Sequence, residues 1–121
     1  MTKTRFVTLL GLAAAVTVIS AHFLQAQEKP KNPDTQKVLL ENPFVQVIDV
    51  RVPAGVAEAL HTHGRGVTIA LTDYDNETRL PGAQWVKGRT KFGDVRWADP
   101  VTHEARNTGT TEQHVIRVEL K

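Results

Sequence analysis

The segment FVQVIDVRV, residues 44–52, decides the fold class predicted for this chain. Five of its nine residues are Val or Ile, whose branched side chains lose freedom in a helix and fit the pleated surface of a sheet. Its apolar and polar residues also partly alternate, which is typical of a strand with one buried face. The segment therefore predicts a β-strand.

The chain on either side of this segment has the same character. Ten short apolar or alternating runs lie at residues 38–40, 44–52, 56–63, 67–74, 78–80, 84–87, 89–92, 95–98, 103–107 and 114–120. Turn-forming residues separate them, including Pro53, Gly55, Asp75, Asn76 and Gly88. No window offers a capped helical period. We therefore predict an all-β domain, a sandwich or small antiparallel β-barrel, because closure removes exposed strand edges.

The first 26 residues have the three-part layout of a secretory signal peptide. Lys3 and Arg5 precede a charge-free apolar run that starts at Phe6, and small residues lead to Ala26. We expect cleavage after Ala26, a flexible lead-in at residues 27–35, and a periplasmic or secreted protein. The apolar run is shorter than the roughly 20 residues of a membrane helix, so no stable membrane insertion is expected once the leader is removed.

Composition narrows the function classes. The chain has no cysteine, so it can form neither disulfides nor a thiolate metal site. Removing the two leader cations from the fifteen Lys and Arg leaves thirteen, which equals the thirteen Asp and Glu. A domain of balanced charge without a basic stripe lacks the electrostatic footprint of a nucleic-acid binder, so we expect no nucleic-acid partner.

Two histidines stand out in the run at residues 56–63. His61 and His63 are two residues apart, so in a strand both side chains project from one face, with Cα atoms about 6.6 Å apart. Imidazoles placed in this way can converge on one ion. A third histidine, His103, occurs in a later run.

The glycines around these histidines complete two motifs. The first is G-x5-H-x-H, from Gly55 to His63, and the second contains Gly93, His103 and Asn107. The two segments resemble the paired motifs of the cupin superfamily, and the resemblance extends over residues 38–121. It implies a double-stranded β-helix, the cupin jelly roll, at residues 36–121, in which His61, His63 and His103 bind one metal inside the barrel.

One departure from the family pattern affects the chemistry. In the family a glutamate follows the histidine pair after three or four intervening residues, where this chain has Val67 or Thr68. Three neutral imidazoles leave the ion its full double charge and open coordination positions, and they suit transition metals better than Mg or Ca. We expect one divalent ion among Fe, Ni, Cu, Mn and Zn, with a small anionic ligand completing the site.

The sequence also predicts the surroundings of the site. Val67, Ile69 and Leu71 are expected to face inward and make the interior apolar. Glu58 lies an odd number of residues before His61, which places it on the opposite face of a regular strand unless a bulge intervenes. Acid–base chemistry would then depend on Tyr74, Glu58 or a metal-bound water.

Other residues are predicted to have structural roles. Asn107 should bond the backbone beside His103, His114 should be a partly buried histidine bonded to backbone, and Arg65 should be solvated near the barrel mouth. Five aromatic residues are expected first of all in the core: Phe44, Tyr74, Trp85, Phe92 and Trp97.

Three functions stay open on the sequence alone. The first is a metal-dependent oxygenase, similar to the three-histidine dioxygenases of the superfamily, acting on a small chelating anion. The second is a non-catalytic module that binds a metal or small ligand outside the cytoplasm, and the third is an isomerase or lyase acting on a sugar-derived substrate. A homodimer formed by pairing of edge strands is also expected.

Overall fold

The computed structural model describes residues 34–121. The predicted signal peptide at residues 1–26 and the lead-in up to residue 33 lie outside the described residues. Across the described range, no helix is long and apolar enough to cross a membrane.

Residues 34–121 form strands joined by turns. The nine strands are β1 (Gln36–Glu41), β2 (Val45–Val52), β3 (Ala57–His63), β4 (Gly66–Ala70), β5 (Tyr74–Arg79), β6 (Val86–Thr90), β7 (Val95–Ala98), β8 (Val101–Asn107) and β9 (Gln113–Leu120). Every paired strand is antiparallel to its neighbour. The all-β prediction is therefore confirmed.

The strands make two sheets that enclose a core. One sheet has the order β1-β2-β9-β4-β7 and the other has the order β3-β8-β5-β6. The buried core consists of Ile48, Val50, Val52, Ala70 and Val115, all from the five-stranded sheet. The four-stranded sheet adds polar side chains to the interior, so it presents the functional groups and the other sheet supplies most of the apolar packing.

Three predicted boundaries were wrong, and a close contact explains one of them. Asp75 and Asn76, which were expected to form a turn, lie inside β5. The predicted run 67–74 is divided between β4 and β5, and Gly88 lies inside β6 rather than between strands. Gly88 pairs with Asn76, itself within β5, and a Cβ at Gly88 would stand 2.7 Å from the Asn76 Oδ1. The glycine therefore leaves room for the Asn76 side chain against β6 and does not mark a turn.

The prediction that Val67, Ile69 and Leu71 face inward was wrong. Thr68 pairs with the buried Arg117 and lines the interior, so Val67 and Ile69 project to the opposite face, outside the barrel. Leu71 follows the end of β4. Because side chains alternate with a period of two, the choice between faces depends on register, which the local pattern did not fix.

The expectation of an aromatic core was also wrong for four of the five residues. Only Tyr74 packs against the core. Phe44, Phe92 and Trp97 are 76%, 71% and 58% exposed. Trp85 is half-buried on the four-stranded sheet between the guanidinium groups of Arg79 and Arg106, which lie 4.5 and 4.2 Å from its ring centroid. Small β-branched residues fill the interior, and this leaves space for a cavity.

The β4–β9 contact gives a test of this packing. A Cβ at Gly66 would lie 1.8 Å from the Val118 carbonyl oxygen, so one of the two strands must move. We expect Gly66→Ala to lower the free energy of unfolding by at least about 2–3 kcal/mol in urea titrations. Gln84→Ala, in an exposed loop, should change it by less than about 0.5 kcal/mol. Equal stability of the two variants would contradict the close approach.

Candidate metal centre

Adjacent strands of the four-stranded sheet bring the three histidines together. His61 and His63 are buried on the inner face of β3, and His103 on β8 is the direct cross-strand partner of His61. One ring nitrogen from each residue lies within 4.8 Å of the others. The structure thus gathers His61, His63 and His103 into one cluster that could hold a metal ion.

The hydrogen bonds of the His61 and His63 rings define which ring nitrogen carries the proton. The Nδ1 of His61 lies 2.6 Å from the Ala59 carbonyl oxygen, and the Nδ1 of His63 lies 3.0 Å from the Glu119 Oε1. A carbonyl and a carboxylate only accept hydrogen bonds, so each Nδ1 must donate. In the neutral rings, both Nε2 atoms then present lone pairs.

These two lone pairs face each other. The Nε2 atoms of His61 and His63 are 3.0 Å apart, and with both protons on Nδ1 this contact has no donor. A shared cation removes the repulsion: nitrogens bound at about 2.0–2.1 Å to one ion lie about 3 Å apart when they subtend roughly a right angle. The residues therefore fit a divalent transition metal.

His103 is kept in the form that binds metals. Its ring centroid is 4.8 Å from that of His61 and 5.4 Å from that of His63. Burial, followed by the nearby His61, His63 and Arg117, lowers the pKa of His103 from 6.5 to about 4. The ring is therefore neutral at pH 7, with a lone pair available.

A buried ion pair on β9 supports His63. Arg117 Nε donates to Glu119 Oε1 at 2.7 Å, and Arg117 also donates to the Gly64 carbonyl and to Thr68 Oγ1, at 2.8 and 3.2 Å. Burial alone would raise the pKa of Glu119, but hydrogen bonds from His63, the Gly64 N–H and Arg117 lower it to about 2. Glu119 is therefore a carboxylate that orients His63.

A β-bulge changes the position of Glu58. The pairing of β3 with β8 shifts register between Glu58 and His61, so Glu58 faces the interior, where it is only 5% exposed. It accepts hydrogen bonds from Thr35 Oγ1 and from Gln36 Nε2. The bulge that the sequence left open for Glu58 is therefore present, and the extra residue restores Glu58 to the face of the histidines.

The histidines open onto a cavity of about 140 Å³ between the two sheets. His63 and His103 form part of its wall. The other polar residues of the wall are Glu58, Thr68, Tyr74, Asn76, Thr78, Gln113 and Arg117. The apolar part consists of Val50, Ala105 and Val115. The interior predicted to be apolar is therefore largely polar beside the metal site.

The comparisons with known proteins agree with this architecture. No protein-family model matches the sequence, and no curated protein is significantly similar to it. A cupin domain from Bordetella pertussis Tohama I superposes with a TM-score of 0.66 at 23% identity, covering 78% of this chain and 97% of that one. The chain has the cupin fold.

Two further structures are similar to this cupin barrel. A double-stranded β-helix protein from Klebsiella pneumoniae has a TM-score of 0.56 and 22% identity, covering 76% of this chain and 79% of its own. An RmlC-like cupin from Desulfovibrio desulfuricans has a TM-score of 0.51 and 18% identity, covering 83% and 94%. At these identities the likeness concerns the fold alone.

The barrel position of the missing glutamate is now defined. Thr68 points inward at that place, and Arg117 lies against its hydroxyl. Neither Arg117 nor Glu119 was predicted as part of the site. Their alternation with the buried Val115 along β9 was the available signal, because residues 115, 117 and 119 share one face of a strand.

Three other residues have defined roles. Asn107 donates to the carbonyls of Val52 and Thr111 at 2.9 and 2.8 Å, which confirms its backbone role. His114 is half-buried, but it bonds the Asp49 carboxylate at 2.7 Å rather than backbone. Arg65 is exposed, as expected.

The neutral histidines predict a pH dependence for the metal-free protein. His103 has a folded pKa of about 4, below its usual 6.5, so at intermediate pH the unfolded chain binds a proton that the folded chain does not. Stability is therefore full above pH 6.5 and is lost as the pH falls toward 4. Urea midpoints should decrease across this window and decrease less in His103→Asn. An identical pH profile for the variant would contradict the assignment.

Glu119 offers a second test. Glu119→Gln removes the charge that holds the Nδ1 proton on His63, and we expect metal affinity, measured by competition with a chelator, to fall about 10–100-fold. Glu104→Gln is the matched control, because Glu104 also pairs with an arginine, Arg79, on the outer side of the barrel. Unchanged affinity in the Glu119 variant, or an equal loss in the control, would exclude the orienting role.

Proposed function

We propose that this protein is a metal-dependent enzyme of the oxygenase class, acting on a small chelating anion at a divalent transition metal held by His61, His63 and His103. One observation carries the proposal. The imidazoles of His61, His63 and His103 lie together, His63 and His103 line a cavity, and the Glu119 carboxylate beside them is already committed to His63 and Arg117.

Charge favours an anion as the ligand. The Arg117 guanidinium is paired with Glu119, so it adds little net charge to the cavity, and neutral imidazoles leave the charge of the metal uncompensated. When bound, such a metal supplies Lewis-acid and redox chemistry to its ligand. An anion with two donor atoms supplies the missing negative charge and fills the open positions. The cavity of about 140 Å³ limits this ligand to a small molecule.

The chain's own residues can position the ligand and accept a proton. Thr68, Asn76 and Gln113 present hydroxyl and amide groups to the cavity, and such groups orient a polar ligand through hydrogen bonds. Glu58 and the Tyr74 hydroxyl lie in the same wall. Glu58 is the proton acceptor of this set, because a carboxylate buried beside a ligand can hold a proton taken from it.

The inward-facing Glu58 favours a second candidate function, that of an isomerase or lyase. Isomerases and lyases need a base at the substrate carbon, and the inward-facing carboxylate meets that need without oxygen. The two candidates differ in what they consume, because an oxygenase takes up oxygen and an isomerase or lyase does not. A non-catalytic module would bind the anion without turnover.

We also propose that the protein is exported to the periplasm or secreted. The charged start, short apolar run and small-residue exit of residues 1–26 support this, together with the absence of cysteine. The N-terminal residue of the protein recovered outside the cytoplasm should be Gln27. Recovery of the protein only in the cytoplasm with an intact leader would exclude export.

Metal content tests the centre. We expect the purified protein to carry about one transition metal per chain, and we expect His61→Ala and His103→Ala to lose it, because two imidazoles bind more weakly than three. His114→Ala is the matched control, since His114 bonds Asp49 away from the cluster. A metal-free wild type, or an ion that survives both ligand substitutions, would refute the centre.

Turnover assays separate the candidate functions. With a panel of enolisable and thiol-bearing anions, the proposal expects oxygen uptake that depends on the bound metal. Turnover without oxygen that is lost in Glu58→Gln would favour the isomerase or lyase instead. Anion binding with no turnover across the panel would identify a binding module and refute the enzyme.

A further inference from the structure

The five-stranded sheet supplies the buried core from its inner face, yet at one end of β4 and β9 the distribution of polarity is inverted. On β9 the charged Arg117 and Glu119 face the interior, whereas Ile116 and Val118 face outward. On β4, Thr68 faces inward and its apolar neighbours face outward. A sheet that meets water on its outer side normally alternates in the opposite sense.

The register places these outward residues in continuous rows across the sheet. One row is Leu40, Val47, Val118, Val67 and Trp97, and a second contains Ile116, Ile69 and Val95 beside Asp49. These eight apolar residues, with Val45 and Leu120 at one end, are called the outer apolar face. It spans all five strands of the sheet.

The other sheet provides an internal comparison. Its outer side carries paired charges and hydroxyl groups, namely Glu77 with Arg106, Glu104 with Arg79, Asp75 with Arg89, and Thr62 with Thr102. The same chain therefore makes one external sheet surface polar and the other apolar. This asymmetry indicates that the outer apolar face is covered in the working protein.

Accessibility is largest at the edges of this face. Val95 is 64% exposed, Trp97 is 58% exposed and Leu40 is 48% exposed. Strands about 4.8 Å apart and about 7 residues long give the face a projected area on the order of 500 Å². The accessible area exceeds this projected area because the side chains protrude, and it approaches the roughly 800 Å² that each partner contributes to a stable interface.

Most of the charges that border this face are paired within the chain, and the exception is the exposed Lys37, which lies opposite Asp49 on β1. Asp49 pairs with Arg51 at 3.0 Å and with His114 at 2.7 Å, and Lys121 pairs with Glu41 at 2.6 Å. A strongly charged partner would therefore find only one exposed cation, at the β1 edge, to select it. The complementary surface is another flat, apolar and neutral sheet, and a second copy of this chain provides one.

We propose that two copies of this protein form a homodimer by packing their outer apolar faces against each other. The two sheets lie face to face around a twofold axis, so each residue row meets the same set of residues on the partner. The edge strands are then not the primary contact, unlike the pairing expected from sequence. The proposal does not depend on the metal centre.

Two valines with nearly equal exposure give a matched test. Val95 lies on the outer apolar face and is 64% exposed, whereas Val86 lies on β6 of the other sheet and is 65% exposed. In light scattering at roughly 1–100 µM protein, the wild type and Val86→Glu should have twice the mass of one chain. Val95→Glu should raise the dimer dissociation constant at least 100-fold, because it buries an unpaired charge.

Trp97→Lys should have the same effect as Val95→Glu, and circular dichroism will verify that each variant is folded. A wild type that is monomeric throughout the concentration range would overturn the proposal, whether residues 1–33 or a different partner cover the face. A folded Val95→Glu variant that remains dimeric would also overturn it, as would dissociation caused only by Val86→Glu.

Discussion

The Arg117–Glu119 ion pair on the inner face of β9 is the interaction on which the site depends. A buried charge is costly unless it is paired and hydrogen-bonded, and each member here has several partners. Arg117 reaches the Gly64 carbonyl and Thr68, while Glu119 receives the Gly64 N–H and the Nδ1 of His63. The pair thus joins the last strand to the turn after β3 and fixes the Nδ1 proton of His63, a candidate metal ligand.

The bulge in β3 has two effects on neighbouring residues. It leaves the Ala59 carbonyl oriented toward the Nδ1 of His61, and it brings Glu58 to the interior. The first effect positions His61, a candidate metal ligand, and the second adds a carboxylate to the cavity wall. The two histidines of β3 are therefore oriented by different groups. His61 is oriented by the Ala59 carbonyl, and His63 by the Glu119 carboxylate.

Sequence reasoning succeeded where short-range patterns decide the outcome. The β-branched residues of 44–52 and the turn residues predicted the all-β fold, and the spacing of His61 and His63 placed them on one face. It failed for Val67, and it left the face of Glu58 open to a bulge, because strand register and bulges decide which face a residue occupies and both depend on distant strands. Arg117 and Glu119 were missed because charged residues on a terminal strand usually face solvent.

The pairing of β2 with β9 has a consequence for the order of folding. Val45 lies opposite Leu120, so the central strands of the five-stranded sheet come from the two ends of the described chain. Closing so long a loop is slow compared with forming hairpins. The β3–β8 contact can assemble His61 beside His103, but His63 receives its carboxylate only when β9 docks. The candidate metal site is therefore complete only in a chain whose last strand has docked, and a chain truncated before β9 would keep the histidines without the carboxylate that orients His63.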